Sequence, residues 1–305
     1  MAIATILSES DHAAPTGHPE NARRLEPIAR EFEQRLATGR LIPLTVTQHG
    51  LDPILRIHTK QHVDSIRTSR HGYLDGDTYV TPTSFSAACN VVDACLSGVD
   101  AIMTDQTKQV FILGRPPGHH APADRAMGFC LLNNVAIAAQ YAIDQFKLNR
   151  VAIVDFDVHH GNGTQAIFYD RADLFFCSTH RVPFYPGTGY PNETGEGRGT
   201  GFTLNSPLMA GDGDKEILLA VTDSFLPALA AFQPELLIVS AGFDAHLSDP
   251  LGGLSVSSDG FRRIGTLLRD FAIRHCSGRI LSVLEGGYDP QGNLNAITSY
   301  IEGLQ

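Results

Sequence analysis

The sequence predicts an α/β fold built on a parallel sheet, and three observations lead to it. Short apolar runs recur along the 305 residues, at Val110–Leu113, Val151–Val154, Leu174–Cys177, Leu236–Ser240 and Ile280–Leu284. Each is rich in β-branched residues or leucine and is bounded by Gly, Pro or polar turns, as strands covered on both faces are. Segments with apolar residues three and four apart (Asn134–Phe146, Glu216–Phe232 and Ser258–His275) lie between the runs and read as helices. Strands alternating with helices imply one α/β domain, and no repeat, low-complexity tract or linker divides residues 1–305 further.

Taken in order, Pro19 with acidic Glu20 opens a first helix that ends near Leu36. The run at Val110 is followed by GRPPGHHA, that at Val151 by DFDVHHGNG and that at Leu174 by STHRVPFYPGTG. AGFDAH and EGGYDP follow the last two. Parallel sheets bind ligands outside the carboxyl ends of their strands. These tails hold both histidine doublets, most of the motif-borne aspartates and the glycine-rich turns, so the polar chemistry collects on one rim.

Composition narrows the function. With 43% hydrophobic and 18% charged residues the chain is an ordinary globular one. No apolar run approaches the roughly 20 residues that span a bilayer, so no membrane is expected. The start, MAIATILSESDH, has no basic region, and its apolar piece is too short for a signal peptide. Cys89, Cys95, Cys130, Cys177 and Cys276 form no CxxC pair and are odd in number. They read as buried thiols of a cytoplasmic protein rather than as a disulfide framework. A net charge of -10 argues against nucleic-acid binding, which needs basic patches, and is compatible with a cationic substrate.

The stretch VDFDVHHGNG places Asp155, Asp157, His159 and His160 at the end of a buried run. Burying unpaired carboxylates costs several kcal/mol each, so something must compensate them. If the strand continues, Asp155, Asp157 and His159 share one face. Asp157 and His159 can then bind one cation, with Asp244 of another strand end as third ligand. Three protein ligands and an open position make a catalytic rather than a structural zinc site. The blander alternative has Asp157 capping the next helix and His159 hydrogen-bonded in the core.

Two further stretches fit such a site. The rigid Pro-Pro-Gly turn fixes His119 and His120 together at a strand end. A neutral imidazole near a metal is a suitable general base around pH 7. In Gly286-Gly287-Tyr288, the glycines allow a tight turn that swings a phenol over the rim, where it can donate to an oxyanion.

Together, RPPGHHA, GFCLLNNVAIAA, VDFDVHHGNGTQ, FYPGTG, SAGFDAHLSDPLGG and LEGGYD resemble the zinc-dependent histone deacetylase family, most closely its class II and bacterial deacetylase-like amidohydrolase branch. The ordered match runs from His18-Pro-Glu20 to the end. The resemblance implies the arginase–deacetylase fold, with helices around a central eight-stranded parallel sheet. It also implies hydrolysis of an acyl–amine amide. Zinc is implied at Asp157, His159 and Asp244, with His120 as general base and acid and His119 as its electrostatic partner. Asp155 orients His119, and Asn162 orients His120; an asparagine there fits the class II branch. Tyr288 implies competence on acetyl groups.

The resemblance further implies potassium at Asp155, Asp157, His159, Ser178 and Thr179, and a second ion at Phe168, Arg171, Leu174 and Phe202. Phe129 and Tyr185 match the aromatic walls of a narrow channel, with Gly128, Gly287 and Leu251 also on the substrate path. Asp77 is a candidate anchor for the substrate backbone. The expected partner is an acyl-lysine peptide or protein, or a small acylated amine such as an acetylpolyamine; the oligomeric state is left open. A binuclear manganese ureohydrolase would need a DxHxD strand, but Gly161 occupies the second aspartate's place. A non-catalytic acyl-lysine binder would have no use for the histidine pair and tyrosine.

Overall fold

In a computed structural model, which describes residues 3–7 and 12–305, the expected sheet is present. Of the opening stretch MAIATILSESDH, residues 1, 2 and 8–11 lie outside the described residues. The strands are β1 (Ile3–Leu7), β2 (Leu41–Pro43), β5 (Gln109–Leu113), β6 (Val151–Asp155), β7 (Leu174–Arg181), β8 (Thr203–Leu208), β9 (Leu236–Ala241) and β10 (Ile280–Leu284). Two more, β3 (Gly72–Tyr73) and β4 (Tyr79–Val80), form a separate hairpin. The main sheet has eight strands in the order β2-β1-β5-β10-β9-β6-β7-β8, every neighbouring pair parallel.

Side-chain alternation splits the core into two layers. Val151 and Ile153 of β6 pack into the layer formed with Ser84–Met103 and Asn134–Phe146. Ala152 and Val154 pack into the opposite layer with Glu26–Ala37, Ser258–His275 and Pro290–Leu304. A strand buried on both faces must be apolar at every position, which is why these runs show no alternation in sequence.

Four expectations need correction. The helix expected from Pro19 begins instead as a 3-10 turn at Ala22, capped by Asn21, and becomes α-helical at Glu26–Ala37. Glu20 is drawn away into a buried ion cluster. The helix expected over Glu216–Phe232 starts at Asp214 and is interrupted by a π-turn at Ala220–Phe225. Pro227, just beyond it, has no N–H to return to Asp223, so the regular ladder cannot run through. Ser84–Met103 is a 20-residue helix of mean hydropathy 1.3, longer and more apolar than the sequence reading allowed. It is 67% buried and packs on β5 and β10, so it is a core helix here. Among the thiols, Cys89 is only half-buried, and all five are free.

The ion cluster ties the start of the chain to the sheet. Arg115, at the end of β5, donates to Glu20 through Nε at 2.6 Å and Nη2 at 2.7 Å. Arg24 Nη2 lies 3.4 Å from the same carboxylate, and His12 Nε2 is also 3.4 Å away. Burial pushes the Glu20 pKa up, but Arg115, His12 and Arg24 together outweigh it and hold the carboxyl below the usual range. A depressed folded pKa adds stability above the ordinary carboxylate pKa, and that increment is lost as pH falls through the folded value. Glu20→Gln should therefore destabilise by about 3–5 kcal/mol at neutral pH, because both guanidinium groups stay buried without a counter-charge. The gap from wild type should narrow below about pH 4. Thermal melts across pH test both, and an unchanged Tm at pH 7 would refute the assignment.

Candidate active site

β6 stops at Asp155, so Asp155, Asp157 and His159 do not share a strand face as the sequence reading supposed. The segment is a loop shaped by its own carboxylates. Asp155 Oδ1 accepts from Asp157 N at 3.1 Å, and Asp157 Oδ1 accepts from His159 N at 2.8 Å. These aspartate-to-backbone turns separate the roles. Asp155 faces His119, whose Nδ1–H donates to it at 2.9 Å. Asp157 and His159 instead meet Asp244, and ligand-capable atoms of all three lie within 4.8 Å of one another.

The three fit a divalent cation. His159 Nδ1 is 3.0 Å from Asp157 Oδ1 and 3.2 Å from Asp244 Oδ2. Backbone amides hold the other oxygens: Gly286 N donates to Asp157 Oδ2 and Val158 N to Asp244 Oδ1, both at 2.8 Å. Asp244 Oδ2 is buried without a hydrogen bond of its own, because the His159 Nδ1–H 3.2 Å away is directed to Asp157 Oδ1. Such an orphaned oxygen is costly, and a bound cation would satisfy it. A Cβ at Gly286 would overlap the Asp244 carboxylate, so the close approach requires glycine. Burial opposes charge on His159, yet Asp157 and Asp244 push its pKa up to about 10. Burial and the Asp157 charge raise Asp244 to about 7. The trio thus carries surplus negative charge that an imidazolium only partly offsets.

His119 and His120 stand beside it, ring centroids 4.1 Å apart. His120 Nδ1–H donates to Asn162 Oδ1 at 2.8 Å, which leaves Nε2 as a free lone pair. Burial, then the charges of His119 and His159, lower the His120 pKa well below the ordinary value. For His119, burial is overcome by Asp155, Asp157 and Glu285, and its pKa rises to about 10. The pair is therefore split into one neutral and one charged imidazole.

Phe129 and Tyr185, expected as channel walls, both lie beside site residues. Tyr185 sits edge-on to His120 at 5.1 Å between centroids and is 37% exposed. Phe129 meets Tyr288 at 5.9 Å. Phe129 has φ +69°, and a side chain on Gly128 would collide with the His120 ring. Thr78 Oγ1 accepts the Phe129 amide at 3.2 Å, and the Asp77 carbonyl accepts from His18 at 2.8 Å, so the β3–β4 hairpin borders the same opening. Burial and the nearby Asp77 raise the Tyr185 pKa. Leu251 is 37% exposed, and its amide donates to Asp249 Oδ1 at 2.8 Å; the Tyr288 amide takes Asp249 Oδ2 at 2.7 Å.

Below the trio, Asp155 pairs in register with Ser178 of β7, and Thr179 carries a buried hydroxyl with no partner. Phe168 and Arg171 share a turn closed by Arg171 N to Phe168 O at 3.1 Å. Leu174 opens β7, and Phe202 O accepts from Phe176 N at 2.9 Å.

Several residues of the site were not singled out in sequence. Phe184 stacks on His159 at 5.1 Å, and the Arg181 guanidinium lies over the Phe184 ring at 4.3 Å. Asp249 joins Leu251 to Tyr288. Glu285 accepts from Gly118 and His119, and Arg24 Nη1 and Nη2 reach the carbonyls of Gly287 and Glu285, both at 2.9 Å. The only local sign of Glu285 is an acid closing the apolar run ILSVL. His119, Cys130 and Glu285 also lie close enough to hold a metal. Both Glu285 oxygens are occupied by donors, however, and burial with Glu285 pushes the Cys130 thiol well above its usual pKa. The acid of that set is already committed to hydrogen bonds.

Comparison with known proteins agrees with this geometry. The histone deacetylase domain family matches residues 18–304. A probable deacetylase of Archaeoglobus fulgidus is 35% identical over 287 residues, 93% of this chain and 80% of the relative. A histone deacetylase-like amidohydrolase of Pseudomonas aeruginosa is 38% identical over 282 residues, 90% of this chain and 73% of the relative. The crystal structure of the HDA15 HD domain matches with TM-score 0.92 at 36% identity, covering all of this chain (100%) and 88% of the other.

The geometry separates ligands from supports. Asp157→Ala and Asp244→Ala should each abolish tight binding of a divalent cation, whereas Asn162→Ala should retain it and slow turnover 10- to 100-fold. Metal content after dialysis decides, and a full complement in Asp244→Ala would remove Asp244 from the ligand set.

Proposed function

We propose, from the premise that the chain belongs to the histone deacetylase family and is a hydrolytic deacetylase, that it removes acetyl or other acyl groups from N-acylated lysine side chains at a zinc-loaded site. The observation that carries this reading is the convergence of Asp157, His159 and Asp244 within 4.8 Å beside a histidine pair 4.1 Å apart. Two carboxylates and one imidazole with a remaining open position suit catalytic zinc. When bound, the ion supplies a lowered pKa for water and polarises the acyl carbonyl.

The chain's own residues do the rest. His120 Nε2 takes a proton from water as the water oxygen adds to the acyl carbon, and the neutral state that burial imposes suits it as a base. The carbon–nitrogen bond then breaks, and the same imidazole returns the proton to the departing amine, giving a carboxylate and a free lysine. Tyr288 donates its hydroxyl to the carbonyl oxygen as negative charge develops there. Asp155 holds the charged His119 ring, and Asn162 fixes the tautomer of neutral His120. Phe129 and Tyr185 flank the lysine stem and exclude water from it. Potassium would be held by Asp155, Ser178, Thr179 and the Asp157 and His159 backbone, and would offset part of the charge on buried Asp155; the unpartnered Thr179 hydroxyl supports this reading. A further potassium is assigned to Phe168, Arg171, Leu174 and Phe202.

His120→Ala and Tyr288→Phe should each lower turnover of an acetyl-lysine peptide about a hundredfold or more with zinc retained. Near-normal turnover in either would take that residue out of the mechanism.

Acyl-lysine is preferred over an acetylpolyamine because Leu251, half-exposed beside Tyr288, offers no charge to a secondary ammonium. A carboxylate there would attract one by about 1–4 kcal/mol at roughly 4 Å. Leu251→Glu should shift the kcat/KM ratio of N8-acetylspermidine to acetyl-lysine peptide toward the polyamine by about tenfold. A wild type that already favours the polyamine would overturn the substrate assignment.

A further inference from the structure

Consecutive residues at the end of β10 each hold a different loop of the site. The Glu285 side chain is fully buried; its Oε2 accepts the amides of Gly118 at 2.6 Å and His119 at 3.1 Å, and its Oε1 accepts the Ser240 hydroxyl at 3.0 Å. Gly286 N donates to Asp157, the Gly287 carbonyl receives Arg24 and Asn293, and Tyr288 N donates to Asp249. Only Glu285 reaches the histidine pair.

The turn it grips is also held through the His119 carbonyl, which accepts from Gly163 N at 3.1 Å and Thr164 N at 3.2 Å. The His119 and His120 rings hold it on Asp155 and Asn162, but its own amides have Glu285. Pro116 and Pro117 have no N–H, so Gly118 and His119 supply the first amides after Arg115. On the far side the turn meets the start of Asn134–Phe146: Asn134 Nδ2 donates to the Pro116 carbonyl at 3.2 Å, and a Cβ on Gly118 would clash with the Asn134 amide. Glu285 is thus the acceptor for the turn's own amides, and it lies three residues before Tyr288 on the same chain segment.

We infer that Glu285 is a positioning residue for the hydrolysis. Its carboxylate sets the Gly118–His119 turn against the Gly286–Tyr288 turn, so that His120 and Tyr288 face one acyl group. The inference rests on the proposed roles of His120 and Tyr288. Displacing a catalytic group by about 1 Å can cost on the order of a hundredfold. Buried amides stripped of their acceptor have reason to move, because leaving them unpaired is unfavourable. Glutamine keeps the shape and can still accept from both amides; alanine cannot.

The test is a double-mutant comparison on an acetyl-lysine peptide, with metal content measured throughout. Glu285→Ala should lower kcat about a hundredfold with KM within about twofold and zinc retained, and Glu285→Gln should recover most of that loss. In a His120→Ala background the further loss from either change should shrink below about threefold, since no base remains to be positioned. If Glu285→Ala fails to fold, the smaller Glu285→Gln loss must still vanish in the His120→Ala background. An equal loss in both backgrounds, or a change confined to KM or zinc content, overturns the inference while leaving the activity standing. No turnover by the wild type overturns the proposed activity, and this inference with it.

Discussion

Everything at the rim follows from negative charge buried where the parallel strands end. Asp155, Asp157, Asp244 and Glu285 are each at most 1% exposed. A carboxylate in such a place must find donors, a cation, or a proton. Asp155 finds His119 and a backbone amide; Glu285 finds two amides and a hydroxyl. Asp157 and Asp244 share one imidazole, and one Asp244 oxygen goes without a donor. Among these four acids only Asp244 has a buried oxygen that no hydrogen bond reaches, and it lies where three ligand-capable groups converge, which is why a metal suits that spot better than the His119–Cys130–Glu285 cluster.

The same charges divide the labour of the two adjacent histidines. The residues differ by one position, yet His119 sits among Asp155, Asp157 and Glu285, whereas His120 has an uncharged asparagine as its ring partner and cationic neighbours. Neutral and charged forms are thereby separated without any difference in residue type. Environments that drive neighbouring titratable groups apart are how one site comes to hold a base and an electrostatic support.

What could be read in the sequence was whatever is written locally. Val151–Val154 and Ile280–Leu284 are apolar at every position because both faces are covered, and their strands match the expectation within a residue. The ligand trio was legible because Asp157 and His159 are two apart and Asp244 follows a similar buried run. Glu285 was not, because its partners lie 166 and 167 residues away and no spacing announces them. Arg24 reaches carbonyls 261 and 263 residues away, with the same result. β8 was missed for a different reason: TLNSPL is half polar and contains a proline, which an edge strand tolerates and a central strand does not. The assumption that β6 ran through His159 failed because aspartate side chains compete for the backbone amides a strand would otherwise use.

Several departures from local preference meet at the site. Phe129 holds a left-handed backbone, Gly286 leaves room for a carboxylate, and the buried acids break the rule that charge stays outside. The alternating apolar layers and the strands beneath them agree with one another. A fold can carry such costs only where the surrounding packing over-determines the backbone. Here two apolar layers clamp the strands from either side, so the loops at their ends cannot relax to relieve the charge. Fixed donors and acceptors that cannot relax need no reorganisation when charge appears on a substrate, and that is the property an amide-hydrolysing site requires.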